Sequence, residues 1–225
     1  VRRFCLYIAG VLLFPSSLYP QATKPSTNAA CAPLTKQLLH CPRFGFAYKV
    51  PFAWVDRTSD MNADAQVSAS ANPNGDENTT EKQPEQASSA GSETLLAVFE
   101  RPPGAPGDTI DSAVVIVAEP LANYRGVKTA AEYFAAISEL AQQRGFTPTA
   151  DPHPVSIGAR QLVRGDFTKA RGKLTIYQTS LAMIAKGYIV SFTFIGGSED
   201  EVDDLVANLS FSAERTPSQT PKEKK

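Results

Sequence analysis

Two histidines, His40 and His153, are the only side chains in this 225-residue chain whose ordinary pKa lies between pH 5 and 8. Either could act as the general base of a small hydrolase, provided that a nucleophile and an orienting carboxylate converge on it. His40 stands next to Cys41 ahead of the first expected strand, and His153 is held between Pro152 and Pro154 in an expected loop. Nothing in the spacing brings a serine or a carboxylate to either ring, so both are expected to be solvated and no catalytic residue is assigned. The chain also lacks a G-x-S-x-G elbow, an H-E-x-x-H pair, a phosphate-cradling glycine loop and a C-x-x-C pair. Glu199, Asp200, Glu201, Asp203 and Asp204 offer the oxygens that Ca²⁺ takes. They fall on an expected helix start, where the positive end of the dipole already favours them, so no metal ligand and no cofactor are assigned. Gly104 and Gly107 lie in a proline-rich loop and read as turn residues, while Tyr124, Arg125 and Arg101 are single candidates for lining a pocket.

The cysteines take their meaning from the first residues. Arg2 and Arg3 precede an uncharged apolar run over residues 4–14, which Pro15, Ser16 and Ser17 break, and Ala22 offers a small residue for cleavage. That is the layout of a secretory signal peptide over residues 1–22. Eleven helical residues cover about half of a ~30 Å hydrocarbon core, so no membrane span is expected in the mature form. Export to the periplasm or outside the cell removes Cys5 with the leader and leaves Cys31 and Cys41 in an oxidising compartment, where they read as one disulfide in the segment 23–43. A lipid anchor at Cys31 is disfavoured, because Asn28 stands where an apolar residue is expected. With 22 basic against 23 acidic side chains, the chain has no general attraction to nucleic acid.

Elements must then be found to carry these residues. Residues 57–93 contain no aromatic residue, no leucine and no isoleucine, and they read as a disordered acidic insertion. Residues 212–225 read as a disordered tail. Outside these segments, Phe44 to Val50 alternates at period two, Trp54 and Val55 give a short strand, and Thr94 to Phe99 and Ser112 to Glu119 are apolar on both faces, as central strands are. Thr129 and Glu132 form a capping box for a helix that Gly145 ends, with Tyr133, Phe134, Ile137, Leu140 and Ala141 as its apolar stripe. Gln161 to Thr168, Lys173 to Ile184 and Tyr188 to Ile195 are three further alternating runs, joined by residues 169–172 and 185–187 as hairpins. Ser198 and Glu201 make a second capping box, ahead of a helix with Val202, Leu205, Val206 and Leu209 on its buried side. The order predicts an α+β fold, an α/β/α sandwich with a mainly antiparallel sheet and helices on its faces.

The FGF-x-Y-x-V-P-x-x-W start (Phe44, Gly45, Phe46, Tyr48, Pro51, Trp54) resembles the opening strands of the PsbP-like superfamily. The likeness continues at Tyr133 and Phe134, from Tyr188 to Phe194, and from Val202 to Phe211, so it covers residues 44–211 with the insertion interrupting it. That superfamily includes a lumenal accessory protein of photosystem II, a Ran-binding nuclear import factor and exported bacterial proteins. The resemblance implies a sandwich with a binding or assembly role and no chemistry. No metal-ligating or cofactor-holding residues of the photosystem branch can be matched. The sequence therefore points to an exported, non-enzymatic module that binds an unknown protein or small ligand, at a sheet edge or between helix and sheet. The alternative is a small envelope hydrolase that uses His153 or His40.

Overall fold

The computed structural model describes residues 30–70 and 91–211. The expected signal peptide, most of the expected insertion and the expected tail lie outside these residues.

Among the described residues eleven strands form two antiparallel sheets. In chain order they are β1 (Leu38–Cys41), β2 (Phe46–Lys49), β3 (Val55–Asp56), β4 (Glu93–Phe99), β5 (Ala113–Pro120) and β6 (Thr147–Pro148). There follow β7 (His153–Ile157), β8 (Arg160–Arg171), β9 (Leu174–Ala185), β10 (Tyr188–Gly196) and β11 (Leu209–Phe211). The larger sheet runs β3-β4-β5-β10-β9-β8-β6, with β7 also on the outer side of β8, and β1-β2-β11 form the smaller one. Three α-helices accompany them among the described residues: α1 (Thr58–Ser70), α2 (Ala130–Gln143) and α3 (Glu199–Ala207). Alternation sorts the side chains of β8, β9 and β10. Val163, Phe167, Ala182, Ile184 and Ile189 meet Tyr133 and Phe134 of α2 on one face. Leu162, Leu181, Met183, Val190, Phe192 and Phe194 meet α3 and the smaller sheet on the other.

The α+β sandwich is as expected, and so are the two central strands: Leu96, Ala97, Val98, Val114 and Ile116 are buried. Several details differ. Phe46 and Tyr48 belong to a second sheet laid over the first, because their partners are β1 and β11 and not β4. The phenol of Tyr48 donates to the Leu205 carbonyl of α3 at 3.1 Å and ties β2 to that helix. The β8–β9 hairpin turns on Gly172 and Lys173 alone, since both strands run further than their apolar residues. His153 opens strand β7 and is not in a loop.

The stretch 57–93 needs correction at both ends. Residues 58–70 form α1, and Glu93 opens β4. Absence of an apolar stripe made α1 invisible to a hydrophobic pattern. It is held instead by polar side chains that finish the edge of β4 where β3 stops. The Thr58 hydroxyl accepts from the Ala97 N–H at 2.9 Å. The Asn62 amide accepts from the Thr94 N–H and donates to the Thr94 carbonyl, both at 2.9 Å. A side chain that satisfies both backbone groups of one residue substitutes for a neighbouring strand.

The first capping box is complete: Glu132 N–H donates to Thr129 Oγ1 at 3.2 Å, and the Glu132 carboxylate accepts from Thr129 N–H at 3.0 Å. At the other end, Gly145 donates to Gln142 and Phe146 to Ala141, closing the helix with Gly145 at φ +81°. The second box is half formed. Ser198 Oγ accepts from Glu201 N–H. The Glu201 carboxylate, however, accepts from Gly197 N–H and from the buried Ser112 hydroxyl, which has no water to turn to.

Candidate functional site

His40 is exposed on the outer face of β1, opposite Ala47, and His153 is exposed on β7, so the two rings belong to different sheets. His153 Nδ1 lies 3.3 Å from the Asp151 carbonyl oxygen. Among the described residues no serine, threonine or carboxylate is hydrogen-bonded to either imidazole.

Sequence reasoning overlooked the most constrained polar cluster. Glu119 sits near the end of β5, buried, with one carboxylate oxygen accepting from the Tyr124 hydroxyl at 2.7 Å and the other from the Tyr133 hydroxyl. The two rings meet edge to face at 4.9 Å. Burial, and then the negative charge of Glu119, push the Tyr133 phenol far above its usual range. It stays protonated and donates; it is neither a nucleophile nor a base at physiological pH. The cluster ties β5 to the start of α2, and its signal in the sequence was an acid at the end of an otherwise apolar strand. Of the three pocket candidates, Tyr124 is here, half-buried, and Arg125 is exposed. Arg101 is at the far end of β4, hydrogen-bonded to Thr109 and facing Asp111. The three do not share a pocket.

Two of the acidic residues of α3, Glu201 and Asp203, are engaged in structure as well. Asp203 accepts from Arg164 Nη2 at 2.7 Å, and Arg164 Nε donates to both oxygens of Asp166 at 2.9 and 3.0 Å. Burial alone would lower the Arg164 guanidinium, but the Asp203 and Asp166 carboxylates override it and hold the pKa up. Among the described residues no group of three or more acids, histidines or cysteines is placed to hold a metal ion.

Cys31 and Cys41 are joined as a disulfide. The pair fastens the residues after Ala30 along the free edge of β1, where Ala32 N–H donates to the His40 carbonyl at 2.8 Å. A sulfur so joined cannot carry a thioether-linked lipid. Among the described residues no helix is long and apolar enough to cross a membrane.

The two places where a ligand is expected are partly taken up by the fold itself. Between helix and sheet, Gly165 of β8 lies under Phe134 so closely that a Cβ there would stand 2.4 Å from the ring. At the sheet edges, α1 caps β4, and Pro148 and Pro154 sit on β6 and β7, the outermost strands of the other side. A pair of turns is exposed beside the smaller sheet. Lys36 and Gln37 link Thr35 to Leu38 with both central residues at positive φ, +48° and +62°. Phe52 and Ala53 follow β2, with Ala53 at φ +64° and Phe52 85% exposed. The Val50 N–H donates to the Gln37 carbonyl at 2.7 Å and joins the two turns.

No protein-family model matches the chain, and no curated protein matches it. Among solved structures it is similar to a Pseudomonas aeruginosa protein of unknown function, at 16% identity and a TM-score of 0.33, over 45% of this chain and 68% of that one. It is also similar to LpqN, involved in cell envelope biogenesis of Mycobacterium tuberculosis, at 12% identity and 0.30, over 52% and 72%. A Bacteroides thetaiotaomicron protein gives 13% identity and 0.35, over 76% and 46%. At such scores these likenesses lend the chain neither a role nor a place in the PsbP-like superfamily.

Proposed function

We propose that the protein is an exported, non-enzymatic binding or assembly module. The observation behind this reading is that the polar groups of the interior are engaged with one another. Glu119 with its two tyrosines, Ser112 with Glu201, and Arg164 with Asp166 and Asp203 each hold two elements together. No buried side-chain nitrogen or oxygen among the described residues lacks a partner. A catalytic group needs idle hydrogen-bonding capacity aimed at a space that substrate can enter. Here that capacity is taken up in positioning α2 and α3, which leaves the outer surface as the part that meets other molecules. The disulfide favours an oxidising compartment and so supports the export reading.

A photocrosslinker at His40, on the outer face of β1, should capture a saturable partner from envelope extract of the producing cell. The same capture should persist when His153 is changed to Ala. Hydrolytic turnover that His40→Ala or His153→Ala abolishes would contradict the proposal and restore the hydrolase.

A further inference from the structure

Three of the four non-glycine residues at positive φ among the described residues, Lys36, Gln37 and Ala53, lie in the two linked turns beside the smaller sheet. L-residues in that region are strained, and such strain persists where the surroundings over-determine it. Here its effect is to present Phe52 to water from a turn pinned through Val50 and Gln37. Trp54, two residues on, packs against the core and anchors the far side of the turn. Leu38, 45% exposed, stands opposite the exposed Lys49 in the β1–β2 register. Lys36 is exposed at the neighbouring turn, and neither ammonium has an acidic partner among the described residues. The nearest acid in sequence, Asp56, is already engaged by the N–H and hydroxyl of Thr58. The near-neutral net charge of the chain therefore hides a small basic and apolar point.

We propose that these paired turns are a contact point for the surface of an anionic lipid bilayer, with Phe52 entering the headgroup layer and Lys36 and Lys49 facing the lipid phosphates. One exposed ring, Leu38 and two lysines are few against the roughly 20–30 residues a side that a stable protein complex uses. They suffice at a bilayer surface, where a single ring buried at the interface combines with basic residues, each worth about fivefold in partitioning. The proposal deepens the binding-module reading by naming the partner, and it rests on that reading in placing the chain beside the envelope.

The test is co-sedimentation of the whole chain with vesicles of phosphatidylglycerol and phosphatidylcholine in equal parts, against phosphatidylcholine alone. Wild type should partition measurably more onto the anionic vesicles. Phe52→Ala should weaken this about tenfold, and Lys36→Glu with Lys49→Glu by at least as much. Leu174→Ala, which removes an exposed leucine at another hairpin, should change nothing. The comparison is between variants of one chain, so any contribution of residues 4–14 cancels. Unchanged melting temperatures would show that the variants fold. Equal binding of Phe52→Ala and wild type, or no vesicle binding at all, would overturn the proposal. In the second case, continued capture of a protein by the crosslinker at His40 would leave the binding-module reading standing while the lipid contact fails.

Discussion

A methyl group added at Gly165 would meet Cε1 of Phe134 at 2.4 Å, inside the layer between α2 and the larger sheet. Phe134 is itself buried, so it has little room to turn away. Gly165→Ala should therefore destabilise the fold by about 1–3 kcal/mol, the range for overpacking a close-packed interior. Urea unfolding would show a lower midpoint at unchanged slope; an unchanged midpoint would mean that the helix stands off from the sheet. The single-residue signals that the sequence displayed openly were those whose partners are close in the chain. Thr129 with Glu132 and Gly145 at the end of α2 are of that kind. Glu119 with Tyr133, and Ser112 with Glu201, are 14 and 89 residues apart, and no spacing rule reaches them.

At the scale of elements, α1 carries the clearest test. Asn62→Ala leaves the Thr94 N–H and carbonyl without their partner at a part-buried edge. A lost bond of this kind costs about 1–3 kcal/mol. Amide exchange at Thr94 should accelerate while the centre of β5 stays protected, and an unchanged Thr94 would show that α1 does not cap the edge. The start of α2 gives a pH dependence. The Glu132 carboxyl lies below its ordinary 4.5, held down by the backbone N–H groups of Lys128 and Thr129. Its folded value is depressed, so its contribution is fully present above pH 4.5 and is lost as pH falls through the folded value. Glu132→Gln should flatten the pH dependence of thermal stability in that acid range and leave it unchanged near neutrality. Most strands were legible because alternation survives wherever one face is buried, as in β10 with Val190, Phe192 and Phe194. α1, β1, β6, β7 and β11 were not, and β6 and β11 are only two and three residues long, with Leu209 of β11 read as part of the preceding helix. α1 has no apolar face, β1 is a four-residue strand behind a tight turn, and β7 keeps His153, Pro154 and Ser156 exposed.

For the whole molecule, two sheets and two helices enclose aromatic layers that sequence pattern placed on a single sheet. Phe46 meets Phe192 at 5.2 Å between ring centroids, and Tyr48 meets Phe194 at 6.1 Å, so the smaller sheet roofs the larger one. The disulfide holds the outer margin of that roof, from Cys31 to Cys41 at the end of β1. In the chain-entropy model a loop so short contributes about 2–3 kcal/mol, and replacing both cysteines by alanine should lower stability by that order. That contribution exists only where the thiols are oxidised, which links the stability of the fold to its compartment.

The intact mass of the protein recovered from its own cell without reductant addresses export and the bridge together. A polypeptide that has lost the apolar run over residues 4–14, and is two hydrogens lighter than its dithiol form, is the predicted result. A chain that keeps that run and offers Cys31 and Cys41 as alkylatable thiols would contradict the account.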